Sequence, residues 1–304
     1  MAKKKARSPL ARRIRQGSVP YLMMGPYMIL FFILTVIPVV TAIALSFTYF
    51  NMLSPPTFVG IMNYERMFLD DETFPIVLKN TLLFALVIGP VSYLLSFFSA
   101  WLINEFGRGL RTMLTFFFYA PALSGNLYVI WNYLFAGDRY GIVNSLLLNT
   151  GVIDAPKQWL SDTSTMLWVL IIIHLWSSFG VGFLTFIAGF QNMDRSLSEA
   201  GAIDGIKNRW QELWYVTLPS MAPMLLFSAV MQIASAFGVG STVQALAGFP
   251  TTQYAADTLL TYMLDVGTVR FEMGYASAIA VFLFLMMIFT NFVITHLLRH
   301  FSAD

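Results

Sequence analysis

The 304-residue chain contains no cysteine and few charged residues. Without thiols it has no cysteine nucleophile, thiolate metal site, iron–sulfur cluster or disulfide framework. Charged side chains make up 11% of the residues, less than half the roughly 25% of soluble domains, whereas 57% are hydrophobic. This composition excludes a soluble enzyme, a nucleic-acid-binding protein and a secreted disulfide scaffold.

The charges that are present leave six intervals free of Asp, Glu, Lys and Arg. Each interval is at least 25 residues long, and about 20 apolar residues cross the hydrocarbon layer as a helix. We therefore predict an all-α integral membrane protein with six transmembrane helices. The predicted spans are residues 21–50, 80–104, 112–136, 164–190, 221–246 and 274–298.

The distribution of basic residues predicts the orientation of these spans. The N-terminal tail (1–20), two loops and the C-terminus (299–304) share one side, which carries 13 of the 18 Lys and Arg residues. The positive-inside rule makes this side cytoplasmic, so we expect both termini in the cytoplasm. The first apolar run is much longer than the h-region of a signal peptide, so the basic tail is expected to remain attached.

The cytoplasmic loop 191–220 is too long for a simple connector. It has apolar residues at helical spacing on both sides of Gly205, which predicts two short amphipathic helices joined there. Ser196 or Ser198 is expected to cap the first helix, and Pro219 to lie in the opening turn of the fifth span. Periodicity alone leaves two interpretations open, since the pair could lie on the bilayer or dock in a groove of a partner.

The residues of this loop resemble the EAA loop of ATP-binding-cassette importer permeases. The matching residues are Glu199, Ala200, Gly201, Asp204, Gly205, Leu218 and Pro219. Two departures stand out, namely Gly201 where a second Ala is usual and one additional residue between Gly205 and Leu218-Pro219. Further segments resemble the carbohydrate-uptake, maltose-permease-like branch: Phe58-Val59-Gly60, Asn63-Tyr64, Asn80-Thr81 and Gly274-Tyr275-Ala276-Ser277-Ala278.

The resemblance implies a type I importer permease with the MetI-like fold, in a bacterial or archaeal plasma membrane. Such a subunit forms half of a sugar or oligosaccharide pathway. It pairs with a second homologous permease, two ATPase subunits and an extracytoplasmic sugar-binding protein, and its EAA loop contacts the ATPase. No G-x-x-x-x-G-K-[ST] phosphate loop occurs in this sequence. We therefore expect no cofactor in this chain and ATP with Mg²⁺ in the ATPase subunits.

Polar side chains near mid-membrane depth mark candidate pathway residues, because they are costly there unless they face a cavity or a partner. The candidates are Asn126, His174, Ser177, Ser178, Ser228, Gln232 and Ser235. Hydroxyl, amide and imidazole groups suit a neutral polyhydroxylated ligand. Hydrogen bonding between packed spans is the alternative reading of the same residues.

Three further interpretations of the sequence remain open, on the cargo, the activity and an outer loop. The cargo could be glycerol-phosphate or another polar solute. An intramembrane hydrolase that uses Ser124 with His174 is a remote alternative, because no second catalytic signature supports it. Asp257, Asp265 and Glu272 lie in an outer loop that could receive a solute-binding protein, although a solvated face is the commoner meaning of such charges.

Overall fold

The computed structural model describes residues 23–123, 127–177 and 179–301 of the chain. The helices are α1 Met23–Leu45, α2 Met62–Glu65, α3 Thr73–Asn104, α4 Arg108–Leu123, α5 Leu127–Leu134, α6 Ile142–Asn149, α7 Met166–Ser177, α8 Val181–Asn192, α9 Arg195–Ile203, α10 Arg209–Ser220, α11 Ala222–Phe237, α12 Gly240–Leu246, α13 Leu259–Val269 and α14 Met273–Phe301. Two short strands, β1 Thr48–Tyr49 and β2 Thr57–Phe58, form an antiparallel hairpin.

Four helical units in the described chain are long and apolar enough to cross a membrane. They are α1, α3, the α7–α8 unit and α14. Two more pairs qualify only when each is taken as one bent span: α4 with α5, bent by 90°, and α10 with α11, bent by 82°. The described residues therefore provide four to six candidate spans, in agreement with the predicted helical membrane class.

The first two predicted spans have different ends in the structure. Helix α1 ends at Leu45 rather than residue 50, because the chain turns there into β1. Helix α3 begins at Thr73, seven residues before the predicted start. The Asp71 carboxylate accepts hydrogen bonds from the backbone N–H groups of Thr73 (2.8 Å) and Phe74 (3.0 Å), which stabilises this earlier start.

The prediction of one continuous helix over residues 221–246 is wrong, because α11 ends at Phe237 and α12 begins at Gly240. A Cβ atom on Gly240 would lie 2.7 Å from Thr258 Oγ1, so the glycine lets α12 approach the start of α13. Pro219 is also not in the opening turn of the fifth span. That place belongs to Pro223, since α11 begins at residue 222.

Two other predicted spans are broken. The span 112–136 is divided between α4 and α5, and the span 164–190 between α7 and α8. Asn126 and Ser178, both candidate pathway residues, lie at these divisions and outside the described residues, as does Ser124.

Helices α3, α8 and α11 pack against one another and form the centre of the structure. Aromatic side chains fill the space between α3 and α8, where the ring centroids of Phe97 and Phe186 are 5.3 Å apart in an edge-to-face arrangement. Small residues bring α8 close to its neighbours, since a Cβ on Gly189 would lie 2.6 Å from Met221 Cε.

The hairpin that follows α1 is held against α14. The Asn63 side-chain amide donates to the carbonyl oxygens of Ser46 and Thr48, both at 2.9 Å. Gly274 N–H donates to Phe50 O (3.1 Å), and a Cβ on Gly274 would lie 2.0 Å from Thr48 O. Asn63 and Gly274, both within the carbohydrate-branch segments, therefore have structural roles here.

This contact predicts that Gly274→Ala destabilises the protein. The added methyl group would meet a backbone oxygen that cannot rotate away, so we expect a loss of about 1–3 kcal/mol, measured as earlier thermal unfolding in detergent. Gly109→Ala is the matched control, because a Cβ there meets nothing within 4 Å. A Gly274→Ala protein as stable as the wild type would contradict the proposed packing.

Candidate functional site

The loop 191–220, which is predicted to be cytoplasmic, has the two short helices predicted from its sequence, α9 and α10. Asp194 caps α9, because its carboxylate accepts from Ser196 N–H at 2.9 Å, so the expectation of a cap at Ser196 or Ser198 is wrong. Gly205 has φ +94°, a conformation in which side chains are rarely found, and a Cβ there meets nothing within 4 Å. The requirement for glycine at this turn is therefore conformational.

Both departures from the EAA pattern have a physical explanation in the structure. Gly201 is buried, and a Cβ there would lie 2.9 Å from Ile206 Cδ1 and 3.1 Å from Val216 Cγ2, so these larger side chains occupy the space of the usual alanine methyl group. Residues Leu213–Thr217 form a π-helical turn within α10. A π turn holds one residue more than an α turn, which accommodates the additional residue before Leu218.

The apolar stripe of α9 faces outward instead of packing on the chain. Ile203 is 86% exposed, and Leu197 and Ala200 are also exposed. Glu199 is exposed as well and makes no hydrogen bond or ion pair within the described chain. A cleft of ≈ 720 Å³ lies between α9 and α10. Five of the seven EAA-loop residues line it together with Tyr215, namely Ala200, Gly201, Asp204, Gly205 and Pro219.

The second helix of the pair is anchored to the hairpin between α3 and α4. Arg209 forms ion pairs with Glu105 (2.9 Å) and Glu212 (2.8 Å). The ring centroids of Trp210 and Trp101 are 5.0 Å apart. The exposed ion pairs contribute little energy by themselves, but together with the ring contact they fix α10 on the end of α3.

One group of candidate pathway residues forms a polar cluster between α7, α11 and α12. His174 Nδ1 lies 3.0 Å from Thr242 Oγ1, and His174 Nε2 lies 3.4 Å from Ser235 Oγ. Tyr128 OH is 3.3 Å from the same Thr242 oxygen. His174 is 7% exposed, and each of its ring nitrogens faces a hydroxyl group of the chain. Sequence reasoning missed Thr242 and Tyr128, which no periodicity links to His174.

A second group connects α3 with α11. Ser92 Oγ donates to Gln232 Oε1 and Gln232 Nε2 donates to Ser96 Oγ, both at 3.1 Å. Ser228 Oγ donates to the backbone carbonyl of Gly182 at 2.9 Å. Gln232 is 3% exposed and Ser228 is fully buried. In this conformation both side chains form hydrogen bonds between packed helices. This is the alternative to cargo binding that the sequence left open.

Ser177 lies apart from both groups. Its hydroxyl donates to Ile173 O at 3.0 Å, one turn earlier in α7, and the side chain is partly exposed.

The three acids predicted to lie in an outer loop have partners within the chain. Glu272 forms an ion pair with Arg66 (2.5 Å) and Asp265 with Arg270 (2.6 Å). Asp257 is 1% exposed and accepts from Thr251 and Thr261. Asp257 and Asp265 therefore do not form a solvated face, and docking of a binding protein at this loop stays a prediction.

A further outer carboxylate, Asp71, joins three segments. It accepts hydrogen bonds from the hydroxyl groups of Tyr262, at 2.5 Å, and Tyr275. Burial disfavours the charge of Asp71, but the hydrogen bonds from these two tyrosines outweigh it and hold the pKa of the carboxyl group below its usual range. Asp71 thus connects the start of α3 to α13 and α14.

Within the described residues, no group of three or more His, Asp and Glu side chains is arranged to hold a metal ion.

Comparison with known proteins identifies related chains over nearly the whole length. The family model described as "Binding-protein-dependent transport system inner membrane component" matches residues 92–303. The probable ABC transporter permease protein YesP of Bacillus subtilis is 32% identical over 276 residues, which cover 89% of this chain and 87% of YesP. The arabinooligosaccharides transport system permease protein AraP of Bacillus subtilis is 26% identical over 293 residues, covering 94% and 90%.

A solved structure shares the fold. The bacterial alginate ABC transporter in complex with an alginate pentasaccharide-bound periplasmic protein contains a chain with a TM-score of 0.78 and 22% identity, over 97% of this chain and 99% of that one. The family match covers more than half of the sequence, and YesP is related over most of it. The chain therefore belongs to the family of binding-protein-dependent transport system inner membrane components, the permease subunits of ABC importers.

Proposed function

We propose that this chain is a permease subunit of an ATP-driven importer for a sugar or oligosaccharide. The observation that carries the proposal is the exposed helix pair α9–α10, with Glu199 unpaired within the described chain and the apolar stripe of α9 uncovered. Relatives such as AraP, whose name assigns it to arabinooligosaccharide transport, support the choice of cargo.

The proposed topology has six spans and two cytoplasmic termini in a bacterial or archaeal plasma membrane. Four long apolar helical units and two bent pairs in the described residues support the count. The excess of Lys and Arg on the side of the α9–α10 loop supports the orientation.

In the proposed mechanism, α9 and α10 dock in a cleft of an ATPase subunit. Glu199 would pair with a basic group there, and Ile203 would enter an apolar recess. Gly205 and the π turn of α10 set the angle between the two helices. Because Arg209 and Trp210 fix α10 to the end of α3, movement of the docked pair would be passed to the central helices.

The remaining components of the importer are proposed on the same basis. ATP and Mg²⁺ would bind two ATPase subunits, because this sequence has no phosphate loop. A second homologous permease would complete the pathway, and an extracytoplasmic binding protein would deliver the cargo. The alginate transporter of similar fold was solved with such a periplasmic protein.

We place the cargo pathway beside the breaks in α4–α5 and α7–α8. Broken membrane helices commonly provide polar groups for a transported ligand. Ser177 ends α7 beside its break, and His174, which contacts Ser235, lies one turn earlier. Asn126 and Ser178, which lie outside the described residues, are proposed pathway residues from their sequence alone. Gln232 would reach cargo only by releasing Ser92 and Ser96.

Another polar solute, such as glycerol-phosphate, is the second candidate cargo. The hydrolase alternative requires Ser124, which lies outside the described residues, and the transporter relatives give it no support.

Reversing the charge of Glu199 tests the coupling role. We expect Glu199→Lys to lower sugar uptake and sugar-stimulated ATP hydrolysis by at least about tenfold, because a paired charge in a docked site would become a repulsive one. The amount of protein inserted in the membrane should not change. Lys207→Glu, an exposed charge reversal in the same loop, is the control and should retain activity. Unchanged uptake in Glu199→Lys would defeat the assignment.

The pathway residues are tested by comparing two serines of α11. We expect Ser235→Ala to weaken thermal protection of the complex by its sugar severalfold, because a cargo hydroxyl would lose a partner. Ser228→Ala should lower only the stability of the ligand-free complex, since Ser228 binds a buried backbone carbonyl. Equal sugar protection in wild type and Ser235→Ala would remove Ser235 from the pathway.

A further inference from the structure

A second cleft, of ≈ 450 Å³, lies between the cytoplasmic halves of α4 and α8. Its polar lining consists of Arg108, Arg111, Thr112, Thr115, Tyr119 and Gln191. Neither the EAA loop nor the polar clusters near His174 and Gln232 contribute to it.

The polar residues from α4 share one face of that helix. Their spacing follows the three- and four-residue steps that bring side chains to the same side. At 1.5 Å per residue, the face from Arg108 to Tyr119 is about 16 Å long. The cleft therefore extends from the cytoplasmic boundary well into the membrane-spanning part of α4.

The two arginines in this cleft have no acidic partner among the described residues. The Arg108 guanidinium group makes no hydrogen bond or ion pair there, and Arg111 Nη1 donates to the neutral amide oxygen of Asn104 at 3.0 Å. The neighbouring carboxylate, Glu105, pairs with Arg209 instead. Two guanidinium groups without a counter-charge favour an anion in the cleft.

Besides the arginines, the lining has four polar residues and two apolar ones, Phe116 and Leu184. The four polar residues favour a hydrophilic anion over a lipid. A phospholipid would place its phosphate at the arginines and its acyl chains along the deeper part of α4, where Thr115 and Tyr119 lie. The hydroxyl groups of Thr112 and Thr115 donate to backbone carbonyls of their own helix and can still accept hydrogen bonds. Tyr119 and Gln191 make no side-chain hydrogen bond within the described chain.

The position of the cleft connects it to the proposed pathway. Helix α4 leads into the bend before α5, and α8 follows the break after α7. The cleft thus lies on the cytoplasmic side of both breaks, where cargo would leave the membrane.

We propose that this cleft binds the acidic group of a polyhydroxylated cargo, a carboxylated or phosphorylated sugar, on its way to the cytoplasm. The proposal rests on the proposed transport function and narrows the cargo class. Arg108 and Arg111 contact the acid, and the threonine, tyrosine and glutamine side chains contact the hydroxyl groups.

The test uses the complete importer in nanodiscs of neutral phosphatidylcholine, with digalacturonate as the acidic probe and galactobiose as the neutral one. We expect digalacturonate to stabilise the wild-type complex against heat, with a dissociation constant that rises with salt. In the double variant Arg108→Gln/Arg111→Gln its affinity should fall at least about tenfold. Binding of galactobiose should be unchanged. Arg139→Gln, an exposed arginine on the other side of the membrane, is the matched control.

The outcomes separate this inference from the proposed function. Two results overturn the inference alone, provided that sugar still stimulates ATP hydrolysis. One is that the complex shows no preference for digalacturonate, and the other is that wild type and double variant bind digalacturonate equally well. The inference is also overturned if phosphatidylglycerol, and not digalacturonate, stabilises the wild-type complex and this effect is lost in the double variant. That result would assign the cleft to a lipid. If no sugar stimulates ATP hydrolysis, the proposed function fails as well.

Discussion

Hydrocarbon offers no hydrogen-bond partners, and this constraint governs how the spans are held together. Polar groups at membrane depth therefore bond to one another or to backbone. Gln232 bonds to Ser92 and Ser96 of α3. Ser228 donates to the carbonyl of Gly182 in α8, and His174 contacts Thr242 and Ser235. These contacts connect the central helices as a unit, through which the proposed mechanism transmits a displacement applied at one end.

The helix pair α9–α10 differs from these helices because part of its surface has no partner within the described chain. Its apolar stripe and Glu199 remain uncovered, while α10 is fixed to the end of α3 by Arg209 and Trp210. A surface that is rigidly attached on one side and unpartnered on the other suits the transfer of motion between subunits. At the end predicted to lie outside, Asp71 joins three segments by hydrogen bonds from Tyr262 and Tyr275.

The sequence predicts the membrane class, the approximate spans and the two-helix cytoplasmic loop, because the cost of burying charge and the helical period are local properties. It does not predict the break before Gly240 or the pairing of Glu272 with Arg66, since these depend on residues distant along the chain. It also could not explain Gly201 and the additional residue of the EAA loop. Their causes, the packing of Ile206 and the π turn of α10, appear only in three dimensions.

Docking of α9 on an ATPase subunit is the central claim, and the absence of native cysteine allows a direct measurement. The variant Ile203→Cys, labelled with a thiol-reactive photo-crosslinker before assembly with the ATPase, places the probe on the exposed stripe. Tyr140→Cys, exposed in an outer loop, is the control. The account predicts that light produces a covalent adduct with the ATPase subunit from residue 203 and none from residue 140. No adduct from residue 203 in an assembled, active complex would contradict it.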